Sequence, residues 1–141
     1  SISAHLLILG EGPEHQKLYE LAYSLGIRAE IDLPGFTQNP FAYMSKASVF
    51  VLSSILEGLP NVLIEAMACG CPVVSTDCPS GPNEILQGGR YGHLVPVNDV
   101  SAMARAIQAV LRGEYRMPPA EWLAQYRIET VARRYREVLG L

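Results

Sequence analysis

Excess positive charge is the first thing this sequence lacks. Its 141 residues carry 11 Lys and Arg against 14 Asp and Glu, a net charge of -3. The isoelectric point is near 5.6. A surface that binds nucleic acid is clearly basic, so no nucleic-acid partner is expected. Long apolar runs are missing too. None approaches the roughly 20 residues that a membrane-spanning helix needs. Cysteine is scarce, with Cys69, Cys71 and Cys78 the full set. An odd number with no evident pairing fits a reducing cytosol and half-buried or buried thiols rather than a disulfide framework. His5, His15 and His93 are scattered and add no ligand cluster at metal-site spacing, so no metal is expected. Nothing in these residues reads as a signal peptide, an internal repeat or a low-complexity tract. The chain opens at Ser1, almost directly in a strand, and is expected to be a piece of a longer protein.

What is present reads as a globular α/β domain. Hydrophobic residues make up 49% and charged residues 18%, enough for one domain with a real core. The expected organisation is a single domain over 1–141, with an α/β core over 1–113 and a linker plus C-terminal helix over 114–141. Ala4 to Gly10 is a short apolar run that predicts a buried parallel strand. Gly10 and Gly12 make the turn after it, and Pro13 opens a helix to Leu25 that stops at Gly26. Leu18, Leu21, Ala22 and Leu25 form its apolar face. A dinucleotide fingerprint would need a third glycine where His15 stands, so this turn alone is a weak signal.

Further strands are expected at Ala29 to Phe36, Ser48 to Ser54, Cys71 to Asp77 and Gly92 to Val95. A short helix, Pro40 to Lys46, follows an Asn39 cap. Asn98 or Asp99 caps a helix from Val100 to Arg112 whose apolar face is Val100, Met103, Ala104, Ile107, Val110 and Leu111. Gly113 ends it. Trp122 to Leu139 is helical with a break near Arg127. Its Arg127, Arg133, Arg134 and Arg136 fit a solvated face better than an anionic partner. Alternating strands and helices predict a parallel sheet covered on both faces, with ligands bound at the carboxyl ends of the strands. The loops at Gly10–Pro13, Gly35–Asn39, Ser53–Asn61 and Asp77–Asn83 all follow strands and are expected to gather on one rim.

The stretch from Glu57 to Gly70, EGLPNVLIEAMACG, carries the chemistry. Gly58 permits a tight bend and Pro60 suits a first helical position. The N–H groups of Asn61 and Val62 then fall in the first turn, where donors lack intrahelical partners and an anion is attracted. Glu57 precedes the helix and Glu65 sits about one turn in. Two acceptor-only groups flanking an anion site suit a phosphate bearing polyols on each side, which describes a sugar nucleotide.

This Glu-x7-Glu pattern, followed by Ala66-Met67-Ala68-Cys69-Gly70, with SVFVLSS before it and CPVVSTDCPSGPNEIL after it, resembles the signature of retaining glycosyltransferases of family 4. The resemblance runs from about Leu6 to Val97. It implies a Rossmann-like parallel sheet with helices on both faces, the C-terminal half of a GT-B fold truncated at its N-terminal edge. It maps the ribose hydroxyls onto Glu65, the donor sugar onto Glu57, and the diphosphate onto the amides of Asn61 and Val62 in the loop that includes Gly58, Leu59 and Pro60. The base falls beside Phe36 and Thr37, and the turn at Gly10 and Gly12 lies near the nucleotide. The family's Arg and Lys on the preceding strand-helix unit would lie before Ser1, as would the acceptor-binding domain.

The resemblance therefore implies a donor-binding domain of an enzyme that moves a sugar from a nucleotide diphosphate, commonly uridine, to a glycan or lipid-linked acceptor. The phrase DCPSGPNEIL is similar to bacterial enzymes of surface polysaccharide synthesis. No cofactor is implied. The cytoplasm is the expected location, with peripheral contact at the inner face of the membrane open to the full-length protein. Two alternatives stay open: a GT-B-fold sugar-nucleotide epimerase, and a GT-B-like module that binds without catalysis.

Overall fold

A computed structural model describes residues 3–141. The backbone packs as two compact units, Ser1–Pro40 and Phe41–Leu141.

The first unit is one strand–helix–strand element. Strand β1 (Leu6–Leu9) pairs in parallel with β2 (Ile31–Gly35), with Leu6 opposite Ile31 and Leu9 opposite Gly35. The register shifts between Leu7 and Leu9. Helix α1 (His15–Ser24) makes the crossover. It starts two residues after Pro13, within the usual spread of helix ends. Gly26 leaves it at φ +70°, the left-handed stop expected there. Of the predicted apolar face only Ala22 is buried, at 2% exposure, while Leu18, Leu21 and Leu25 are exposed. A two-stranded sheet is too narrow to cover all four, so the helix contacts it through its smallest apolar residue.

The second unit is a three-layer sandwich. Its strands β3 (Phe50–Leu52), β4 (Val73–Thr76) and β5 (His93–Val95) are parallel, in the order β3-β4-β5. Central β4 is buried along its length. Because side chains alternate across a strand, Val73 and Val74 enter different cores. Val73 packs with Leu63, Ala66 and Met67 of α3 (Asn61–Ala68) and Ile85 of α4 (Pro82–Ile85). Val74 packs with Val95 and with Ala106 and Val110 of α5 (Val100–Leu111). Helices thus cover both faces, as expected for the fold class. The described strands, however, form two ladders rather than one five-stranded sheet. Consecutive β2 and β3 do not pair.

Asp99 caps α5 as predicted, its Oδ1 accepting the Ala102 N–H at 2.7 Å. The buried face of α5 keeps the expected Met103, Ile107 and Val110 and departs from expectation at Val100 and at the alanines. Val100 is 80% exposed and Ala104 is exposed, while Ala106 is buried and Ala102 half-buried. The alanines take the sheet side because a small residue lets the helix approach β4 closely. Helix α2 (Phe41–Met44) starts one residue after Pro40. The C-terminal stretch breaks into α6 (Ala120–Ala124) and α7 (Ile128–Leu139) with Arg127 at the junction. Trp122 anchors it: its indole N–H donates to the Ile85 carbonyl at 3.0 Å, and its ring stacks at a tilt on Tyr91, 5.5 Å between centroids. Arg127, Arg133, Arg134 and Arg136 are all exposed. Cys71 and Cys78 are buried and Cys69 half-buried, all three as free thiols. Among the described residues no helix is long and apolar enough to cross a membrane.

Candidate functional site

In the first unit the loops after β1 and β2 meet. The Gly10 N–H donates to the Gly35 carbonyl at 2.8 Å, and both glycines have positive φ, +111° and +83°. The side chain of Glu11 lies over Gly35, where an added Cβ would come within 3.4 Å of its Oε1. Between the loops lies a cavity of about 370 Å³ lined by Glu11, Gly12, His15, Leu33, Pro34 and Gly35. His15, at the fingerprint's third-glycine position, is the first residue of α1, with Nε2 3.4 Å from the Leu33 carbonyl. An exposed imidazole thus stands where a dinucleotide loop has glycine. Phe36, 72% exposed, and half-buried Thr37 follow Gly35 directly. Thr37 Oγ1 accepts the Asn39 N–H at 3.3 Å.

In the second unit the loops after β3 and β4 meet. Gly81, at φ +86°, packs against the turn at Gly58–Pro60. A Cβ there would overlap the Pro60 ring and come 2.8 Å from the Gly58 carbonyl oxygen, so only glycine allows this approach. The expected gathering of loops is therefore seen two and two, within each unit.

Glu57 is half-buried, and its Oε1 accepts a 2.6 Å bond from Ser54 Oγ. Helix α3 begins at Asn61, with Pro60 in the capping position rather than the first helical one. The reason is visible in the turn: Pro60 has ψ +80°, outside the helical region, and the Asn61 N–H donates back to the Leu59 carbonyl at 2.8 Å. The Leu63 N–H donates to the Pro60 carbonyl at 3.0 Å. Among the described residues, the Val62 N–H is left as the first-turn donor with no protein acceptor. Leu59, Asn61, Ile64 and Glu65 line one side of a cavity of about 490 Å³. Tyr126, Ile128, Val131 and Ala132 of the C-terminal segment line the other. Burial, and then the Glu84 carboxylate, push the Tyr126 phenol up, so it stays a neutral hydroxyl able to donate or accept.

Three participants escape sequence reasoning. Ser54 stands near Glu57 in the chain, but nothing in its residue type marks it. Thr76, whose hydroxyl donates to the Ser54 carbonyl, and Tyr126, which lines the cavity with Glu65, come from across the fold and leave no local signal. Among the described residues, no three His, Cys, Asp or Glu side chains gather as a metal-binding group.

The model of the family described as "Glycosyl transferases group 1" matches residues 1–113. The chain belongs to that family. Among its relatives is the N-acetylgalactosamine-N,N'-diacetylbacillosaminyl-diphospho-undecaprenol 4-alpha-N-acetylgalactosaminyltransferase of Campylobacter jejuni. It is 38% identical over 109 residues, covering 77% of this chain and 30% of that protein. The backbone is similar to the lipopolysaccharide outer core galactosyltransferase WaaB in its apo form, with a TM-score of 0.84 at 23% identity, over 96% of this chain and 40% of WaaB. It is also similar to Anabaena Alr3699/HepE in complex with UDP, with a TM-score of 0.83 at 21% identity, over 97% of this chain and 41% of that one. At these identities the two structures show the fold, that of a GT-B glycosyltransferase domain. The chain spans about a third or less of the length of the curated relatives it matches.

Proposed function

We propose that this chain is the donor-binding half of a retaining family 4 glycosyltransferase that takes a uridine-diphosphate sugar. The observation that carries the reading is the loop-and-helix element itself. It presents Glu57 from the loop, the unpartnered Val62 N–H at the helix start and Glu65 in a cavity. Glu65 would accept the two ribose hydroxyls, each charge-assisted bond being worth roughly 1.5–3 kcal/mol. The diphosphate would lie at the start of α3, where the macrodipole and the free donor favour negative charge. Phe36 and Thr37 would border the base, and the Gly10–Gly12 turn would lie near the nucleotide.

As the anomeric C–O bond breaks, negative charge grows on the diphosphate, and pre-aimed donors stabilise it without reorganisation. Glu57 would hold sugar hydroxyls and face the positive charge developing at the anomeric carbon. The acceptor hydroxyl would attack from the side the diphosphate leaves, retaining configuration. The amide and helix-dipole donors serve the phosphates, so the reading calls for no metal and no cofactor. The acceptor, a glycan or lipid-linked sugar of bacterial surface polysaccharide in the cytoplasm, would be held by a domain outside this chain. Membership of a family with undecaprenol-linked transferases supports that choice.

Calorimetry with UDP tests the reading. This chain should bind UDP, Glu65→Ala should weaken binding at least tenfold, and the chain alone should transfer no sugar. Unchanged UDP affinity in Glu65→Ala, or transfer by this chain alone, would count against it.

A further inference from the structure

Glu57 lies in a loop, with no helix of its own to fix it. A glutamate has several rotatable bonds, and an untethered one spreads over many rotamers. Here Ser54 Oγ donates to its Oε1 at 2.6 Å. Ser54 is itself held, because the Thr76 hydroxyl donates to the Ser54 carbonyl. Thr76 ends the central strand β4 and is 4% exposed, so it is a rigid anchor. The chain of bonds runs from the buried strand, through the loop after β3, to one oxygen of the carboxylate.

From this geometry we infer that Ser54 is the positioning residue that presents Glu57 to the donor sugar, with Thr76 fixing Ser54 from the neighbouring strand. The inference rests on the donor-binding reading of Glu57 given above. With Oε1 engaged by Ser54, Oε2 keeps its lone pairs for the hydroxyls of a bound hexose. Ser54 acts through Glu57.

A double-mutant cycle in the longer protein tests this. Hydrolysis of UDP-galactose, UDP-glucose and UDP-N-acetylgalactosamine, with water taking the sugar, is followed by UDP release for the wild type, Ser54→Ala, Glu57→Ala and the double variant. Ser54→Ala should lower kcat about tenfold while changing the donor KM less than about twofold. In the Glu57→Ala background, where no carboxylate is left to hold, the same change should cost less than about twofold, because the two residues act as one unit. Ser54→Thr, which keeps a hydroxyl, should recover most of the rate. Should Ser54→Ala fail to fold, Ser54→Cys, a much weaker donor, takes its place in the cycle. Independent, multiplying losses would overturn the inference, as would a full rate in Ser54→Ala beside a slow Glu57→Ala. A full rate in Glu57→Ala would remove the donor-sugar role of Glu57 itself, and the inference with it.

Discussion

Gly81→Ala tests the contact that holds the Gly58–Pro60 turn, and Gly88→Ala serves as its control. Both glycines have positive φ, +86° and +65°, so both substitutions meet the penalty that an L-residue suffers there, roughly 1–2 kcal/mol. Their surroundings differ. At Gly88 an added Cβ would have nothing within 4 Å, whereas at Gly81 it would strike the Pro60 ring and the Gly58 carbonyl. Overpacking of that kind adds about 1–3 kcal/mol. The expected losses are therefore about 1–2 kcal/mol for Gly88→Ala and about 2–5 kcal/mol for Gly81→Ala. Urea unfolding with the slope compared between variants gives both values. Because the loop cannot close onto Gly81 without pushing Pro60 away, folded Gly81→Ala should also bind UDP more weakly than Gly88→Ala. Equal stability losses at the two positions would refute the claim that this close approach shapes the turn.

The helix start can be tested at its open donor. Val62→Ala keeps the N–H and should change UDP affinity less than about threefold, whereas Val62→Pro removes it and should cost roughly tenfold to a hundredfold. Equal affinities in two folded variants would move the diphosphate elsewhere. The cysteines give a pH prediction. Burial, with Cys69 adding to it, pushes the Cys71 thiol above its ordinary 9.0, so the native state is favoured while that thiol is neutral. Its contribution to stability should be whole below pH 9.0 and fall as pH climbs through the higher native value. Iodoacetamide at neutral pH should modify half-buried Cys69 before Cys71 or Cys78, as read by peptide mass. Equal labelling of all three would show the core to be open.

The parts of this molecule that were legible in its sequence are those that local chemistry determines. Gly26, Gly70 and Gly113 end their helices at φ +70°, +80° and +86°, a conformation that marks glycine out in any sequence. Asp99 caps α5 with its own side chain, a contact three residues long. The run from Cys71 to Asp77 reads as a strand, and Val73–Thr76 forms one, buried along its length. What failed depended on what lay across the fold. The α5 face reads rightly at Met103, Ile107 and Val110 and wrongly at Val100, apolar by type but exposed at the helix start, and at Ala106, small enough to sit in the core. Leu21 and Leu25 looked like core, yet a two-stranded sheet has no room for them. At the candidate site, the loop position of Glu57 and the helical position of Glu65 agree with the order read from the sequence. The Asn61 N–H could not be known to turn back to Leu59, since that follows from the ψ of Pro60.

The two carboxylates of the motif are placed by different forces. Glu65 belongs to α3, whose Leu63, Ala66 and Met67 are locked in the core, so its position follows from helix packing. Glu57 belongs to the loop, and its position follows from Ser54, from the end of β4 and from the turn that Gly81 backs. Residues 58–60 join these two regimes. The spacing of the glutamates is thus the length of one turn plus the helical rise from Asn61 to Glu65, about 6 Å at 1.5 Å per residue. A residue inserted between Asn61 and Glu65 would swing the second carboxylate about 100° around the helix, away from the cavity it lines. A residue inserted at 58–60 would leave Glu65 in its cavity and displace the turn from Gly81 instead. In the proposed reading either change separates groups that would serve one donor, so the interval between the two glutamates is set by the turn and the helix together.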